Sequence, residues 1–328
     1  MTHTQFFADQ VEQLDLALDQ LALKDRNFDR FAILLIDNVV ELTLHRHAQN
    51  RPTTKDENSK AVAAALTQYF DPKVKLAKVT GMLTEELADS ISYLHSFRNT
   101  AHHSGLRHEG ILHALALFYF RCACTALHAY KGGWWSSSSD DVIPHRAMKY
   151  LGRSSSFLGG HSQQGFQAAF NRLRDVADSM GDTLCEDLVC DMKKTVESMN
   201  EAIQFLADDS PRTMTRHEAI VEAQIWPFAF TDEAKAFARK TPSYANVQTV
   251  GGHIDWLRAN YPWPTKKDPI PSWNKRLRSL ATESVEHAAL KKYCDFMNQT
   301  GALRTVISYS AEQLDGRIQQ QIDEMRGK

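Results

Sequence analysis

Apolar residues recur at every third or fourth position along almost the whole chain, and no run of alternating β-branched residues is long enough to require a sheet. The pattern predicts an all-α protein. Its 328 residues exceed the roughly 100–200 of one domain, so two compact parts are expected, each with a core of its own. "NFDRFAILLIDNVVELTLHRHA" reads as the first long helix of a bundle, with Phe28, Phe31, Leu35, Val39 and Leu42 as its apolar stripe. A loop, "QNRPTTKDEN", leads to the shorter "SKAVAAALTQYF", and Pro72 marks a break before "KVKLAKVTGML". Thr84 followed by Glu85 and Glu86 has the make-up of a helix start, a hydroxyl N-cap and then acids at the positive helix end. Gly105 is the expected glycine just past that helix. A strongly apolar helix over 107–130, stopped by Gly132 and Gly133, completes four antiparallel helices.

"KGGWWSSSSDDVIP" (131–144) has the composition of a linker or exposed loop. All six tryptophans lie at or beyond Trp134, whereas nine of the fourteen histidines precede it, so the two halves carry different chemistry. The expected division is a bundle over 1–133, a linker or loop over 134–164, and a second helical region over 165–328. In that region long helices are expected near 165–180 and 182–208, an irregular Pro/Trp-rich stretch at 260–274, and terminal helices near 275–297 and 309–326.

A net charge of -2 leaves no global basic field to draw the chain to nucleic acid or membrane, so any such site is a local patch. The five cysteines are odd in number and scattered through helical text, which suits a reducing, cytoplasmic setting better than a disulfide framework. Residues 1–20 have no basic start or apolar core of a signal peptide. The most apolar stretch, 111–130, has the length of a membrane span but contains His113, Arg121 and His128, and reads as a buried bundle helix.

The chemistry concentrates in "YLHSFRNTAHHSG" (93–105). Asn99 and His103 are four apart and share a helix face, and Arg98 lies about 100° round from Asn99, an offset its long side chain spans. Cleaving RNA by attack of the ribose 2′-hydroxyl on the adjacent phosphate needs a proton carrier that titrates near neutrality, which an imidazole supplies. It also needs fixed positive charge on the developing phosphorane, which a guanidinium supplies through its planar fork. No metal or other cofactor is required. Arg98-Asn99-x-x-x-His103 is similar to the R-x4-6-H motif of the HEPN superfamily, whose ribonuclease members most often show it as R-N-x-x-x-H. Arg107/His113, Arg121/His128 and Arg212/His217 also fit R-x4-6-H, but only Arg98/His103 has the asparagine, the upstream His95 and the helix-ending glycine.

The order of helices over about residues 25–132 also resembles a HEPN domain; the remainder is not recognised. The resemblance implies an N-terminal four-helix HEPN-like bundle and a metal-independent endoribonuclease, with His103 as general acid/base, Arg98 as transition-state stabiliser and Asn99 as an orienting hydrogen-bonder. His102 and His95 are further candidates. It implies a homodimer that brings two motifs together across a two-fold axis, and a toxin or phage-defence role with RNA as substrate and an antitoxin or defence protein as partner. Members modified by a partner nucleotidyltransferase carry Tyr two residues after the His, where this chain has Gly105.

Other readings stand beside this one. Histidine is favoured at a helix C-terminus, Arg98 has Glu86, Asp89 and Glu109 as possible partners, and the bundle could be a non-catalytic scaffold or a nucleotide-binding regulator. Asp37, Glu41 and His45 repeat every four residues, a spacing compatible with a metal site, with a hydrogen-bonded ridge or with one wall of the active cleft. In "YPWPTKKDPIPSWNKRLR" (261–278), Trp263 and Trp273 beside Lys266 and Lys267 suggest a single-stranded RNA-binding surface, or else indoles that pin a loop to a core.

Overall fold

In the computed structural model the chain is described over residues 1–51, 59–103, 109–131, 135–152, 161–181 and 183–327, the side chains of 100–103 and 245–246 excepted. The side chains of His102 and His103, with Gly105, Arg107, Gly132, Gly133 and Trp134, therefore lie outside the described residues. The helices are α1 (His3–Leu21), α2 (Arg26–Gln49), α3 (Ser59–Ala65), α4 (Phe70–Val79), α5 (Glu85–His103), α6 (Leu112–Ala129), α7 (His145–Met148) and α8 (Gln163–Ser179). They continue with α9 (Leu184–Asp208), α10 (Arg216–Ala229), α11 (Asp232–Lys240), α12 (Val250–Asn260), α13 (Ile270–Ala281) and α14 (Glu286–Met325). No strand occurs among the described residues, and the fold is all-α.

The chain divides into two compact units. Unit 1 is Met1–Leu188 with Glu283–Lys291, and unit 2 is Val189–Thr282 with Lys292–Lys328. The first unit thus runs well past the expected boundary at 133, because α8 lays Phe166, Phe170 and Leu173 against α6 and α1. Nor is 134–164 a plain linker over its described part. Trp135 stacks on Phe7 with centroids 5.5 Å apart and donates to the His161 carbonyl at 3.0 Å. Arg146, Lys149 and Tyr150 all reach the buried Asp15 of α1.

In unit 1, α6 is buried by α1, α2, α5 and α8 except along Thr125 and His128, which are exposed, with Leu115, Tyr119, Phe120 and Ala123 fully enclosed. It is the only described helix with the length and hydropathy of a membrane span, and 83% of that window is buried by the protein itself. The N-terminal segment, which the sequence reading assigned no element, is the amphipathic α1, burying Phe6, Phe7, Val11, Leu14 and Leu18. The expected stripe of α2 is met only in part: Val39 is fully buried and Leu35 half-buried, but Phe28, Phe31 and Leu42 are exposed, and the core face is Ala32, Ile33, Ile36, Val39, Val40, Leu44 and Ala48 with Asp29 and Asp37 among them. Pro72 does not break a helix but sits in the first turn of α4, where its missing N–H costs nothing.

Two local devices aim α5. α4 ends in a Schellman turn in which Met82 N–H bonds the Ala77 carbonyl at 2.9 Å and Gly81 N–H that of Lys78 at 3.1 Å. Gly81 there adopts φ +72°, a conformation strained for any residue with a Cβ. Thr84 then caps α5 as expected, its hydroxyl accepting from Leu87 N–H at 3.2 Å.

Unit 2 packs α10, α11 and α12 around Ile225, Ala229, Ala238, Ile254, Leu257 and Trp263. The terminal helices differ from the expected 275–297 and 309–326: α13 ends at Ala281, and α14 runs unbroken for 40 residues through Gly301. A lone glycine costs about 1 kcal/mol in a helix, too little to interrupt one whose Tyr293, Phe296, Ile307 and Leu314 are buried.

Candidate active site at the end of α5

Asp37, on the core face of α2, is 1% exposed. A carboxylate so buried must be matched by donors, and three side chains from two helices supply them. From α5, His95 Nδ1 lies 2.8 Å from Asp37 Oδ1; from α6, Tyr119 donates its hydroxyl to the same oxygen at 2.6 Å. Arg98 brings Nε to 3.4 Å from Asp37 Oδ2, an ion pair rather than a well-formed hydrogen bond. Burial and the adjacent carboxylate push the Tyr119 hydroxyl well above its ordinary pKa, so it stays protonated and donates.

The remaining groups orient this cluster. The His95 ring lies flat on Phe70 of α4, centroids 3.7 Å apart and planes 2° from parallel. With Nδ1 held by Asp37, its Nε2 is the ring atom left for proton transfer. Arg98 Nη1 donates to Asn99 Oδ1 at 2.9 Å, joining the two motif residues. The Arg98 side chain is 36% exposed and that of His95 18%, so both reach solvent while Asp37 does not. His95, Arg98 and Asn99 are spaced i, i+3, i+4 and share one face of α5.

The acid ladder of α2 repeats this logic on both sides. Asp29, 4% exposed, pairs with His113 Nδ1 at 2.7 Å, and Glu41 pairs with the buried Lys73 at 3.2 Å. Glu109, a possible partner of Arg98 by sequence, is taken by Arg26 and Arg30 instead. Asp37, Glu41 and His45, the spacing that raised a metal site, go to His95, Lys73 and Gln49 respectively. Among the described residues no three His, Cys, Asp or Glu side chains are grouped to hold a metal ion.

The structure brings Arg98, Asn99 and His95 together. Asp37 enters beside them as the anchor, and Tyr119 and Phe70 as supports that the sequence reading did not select. The signal for Asp37 was the four-residue repeat of acids along α2, set against the histidines of α5 and α6.

The expected RNA-contacting residues in unit 2 need correction. Trp263 and Trp273 are each 5% exposed. Trp263 is wedged against Phe228 and Tyr261, and Trp273 meets Phe296 edge-on. An indole enclosed in a core has no free face for a base. Lys266 and Lys267 are exposed.

No family model, no curated protein and no solved structure matches this chain.

Proposed function

We propose that the chain is a metal-independent endoribonuclease of the HEPN type, acting as a toxin or phage-defence effector, with Arg98 and His103 at its centre. The observation that carries this reading is the anchored pair on one face of α5: an imidazole oriented by a buried carboxylate, one turn from a guanidinium that still reaches solvent. An imidazole takes the proton of the ribose 2′-hydroxyl as its oxygen attacks phosphorus, and a second imidazole protonates the departing 5′-oxygen. His103, with His95 and His102, fills these two roles, and a second copy of the chain supplies the opposing motif. Arg98 stabilises the phosphorane dianion bidentately, with Asn99 fixing its fork. The products are a 2′,3′-cyclic phosphate and a 5′-hydroxyl.

Purified protein incubated with total and transfer RNA should cut it, and Arg98→Ala and His103→Ala should each slow cutting at least 100-fold. Equal cutting by the variants would sink the proposal. A second reading is favoured by one observation: the Arg98 guanidinium is already engaged by Asp37 and Asn99, as in a structural ion pair. On that reading the bundle is a non-catalytic scaffold or a nucleotide-binding regulator. Arg98→Ala would then lower stability without touching any RNA-cleaving activity.

A further inference from the structure

Unit 2 contains two adjoining cavities, of about 480 and 280 Å³, that share Ser210, Met214, Glu222, Trp226 and Arg317. Each is close to the size range of small-ligand sites. Trp226 is 53% exposed on their common wall, whereas Trp256, Trp263 and Trp273 of the same unit are core residues. Tyr309, 51% exposed, stands on the wall of the smaller cavity. The next residue along α10 is Pro227, which has no N–H for the Ala223 carbonyl. That carbonyl is met by the Ser310 hydroxyl of α14 at 3.4 Å, so the smaller cavity has a polar, built lining.

The larger cavity is lined by more cations than acids. Glu222 is neutralised by Arg258, which contacts both its oxygens at 2.9 and 3.1 Å. Glu218 is held by the Thr215 N–H at 2.7 Å and lies 3.5 Å from Arg212. Lys266 and Arg317 line the same cavity, and among the described residues neither has a carboxylate within ion-pair distance. Their charge is left for something outside the chain.

An open indole calls for a flat π-system, and two uncompensated cations beside it call for an anion. A nucleotide carries both within one small molecule. We propose that this cleft binds a nucleotide, its base stacked on Trp226 and its phosphate held by Lys266 and Arg317. A free nucleoside 5′-monophosphate and a nucleotide of a single RNA strand present the same two groups, and the experiment separates the sources. The inference stands on unit 2 alone and is independent of the reading of Arg98. It also reassigns the stacking role that the sequence suggested for Trp263 to a different tryptophan.

The full-length protein is titrated with each of the four nucleoside 5′-monophosphates, with inorganic phosphate, and with a short fluorescein-labelled single-stranded RNA. Tryptophan quenching, calorimetry and fluorescence anisotropy are the readouts. Saturable binding is expected, weakened at least 10-fold by Trp226→Ala but little by Trp226→Phe, and at least 10-fold by Lys266→Ala/Arg317→Ala, with a steep salt dependence. Inorganic phosphate should compete weakly and be indifferent to Trp226→Ala. Binding of monophosphates identifies a free nucleotide as the ligand, and binding of the strand alone identifies RNA. Absence of saturable binding to either, or equal binding by wild type, Trp226→Ala and the double variant, overturns the proposal. All three substituted side chains are exposed, and unchanged circular dichroism melts check that the variants fold.

Discussion

Replacing Asp37 by alanine removes one acceptor that three side chains share. Tyr119 is 0% exposed, so its hydroxyl would be left without a partner in the core, at a cost of about 1–3 kcal/mol. Arg98 also loses its counter-charge and His95 its hydrogen-bond partner, but both reach water and are partly resolvated. Breaking a buried pair by deleting one partner costs about 3–5 kcal/mol, and partial solvation places this site near the lower end, at about 3 kcal/mol. Asp37→Asn keeps an acceptor for Tyr119 while losing the charge, and should cost about half as much. The decisive assay is a double-mutant cycle read from urea unfolding followed by far-ultraviolet circular dichroism. In the Asp37→Ala background, Tyr119→Phe deletes the stranded hydroxyl and should recover about 1 kcal/mol, although in the native background the same change destabilises. A loss below about 1 kcal/mol for Asp37→Ala, or no recovery from Tyr119→Phe, would refute the argument that this carboxylate anchors α5 and α6.

Three further outcomes follow from the geometry. Burial, with Arg51 adding to it, lowers the His47 pKa from 6.5 to about 4, and His47 Nε2 lies 2.8 Å from the Thr80 hydroxyl. The imidazole is therefore neutral in the fold, and its contribution is complete above about pH 6.5 and lost as pH falls to about 4, for a total of about 3 kcal/mol; unfolding titrations of His47→Gln should show a flatter acid limb. Phe7, 2% exposed and packed on Tyr130, Trp135, Phe166 and Phe170, should cost about 3–5 kcal/mol as Phe7→Ala, measured by urea unfolding. Lys73, 2% exposed, donates to Glu41 and to the Thr67 and Tyr69 carbonyls, so Lys73→Met should destabilise by about 1–3 kcal/mol even though it adds apolar surface, and hydrogen exchange should rise at the start of α4.

The helical class, the Thr84 cap and the buried character of α6 were legible because each rests on local pattern. The buried face of α2 was not. The expected stripe and the core face share Val39, but Phe28, Phe31 and Leu42 fall outside that face, whereas Asp29 and Asp37 fall within it and are answered there by histidines on α6 and α5. Tertiary pairing decided the face, and periodicity holds no record of it. The same cause hid the anchor of the site: Asp37 was visible as one of a row of acids, whereas its partners come from 58 and 82 residues away. Trp263 shows the converse, since a tryptophan near lysines reads alike whether it is packed in a core or open to solvent.

The central claim, that the face of α5 bearing Arg98 cuts RNA through imidazole chemistry, is tested most directly by the ends of its products. Wild-type protein and Arg98→Ala are incubated with transfer RNA in excess EDTA, and the fragments are treated with phosphatase and with polynucleotide kinase. The account predicts wild-type fragments whose 3′ ends resist phosphatase until the cyclic phosphate is opened and whose 5′ ends accept phosphate directly, with almost none from the variant. Fragments bearing 5′-phosphate and 3′-hydroxyl ends, or cutting that Arg98→Ala leaves intact, would contradict it.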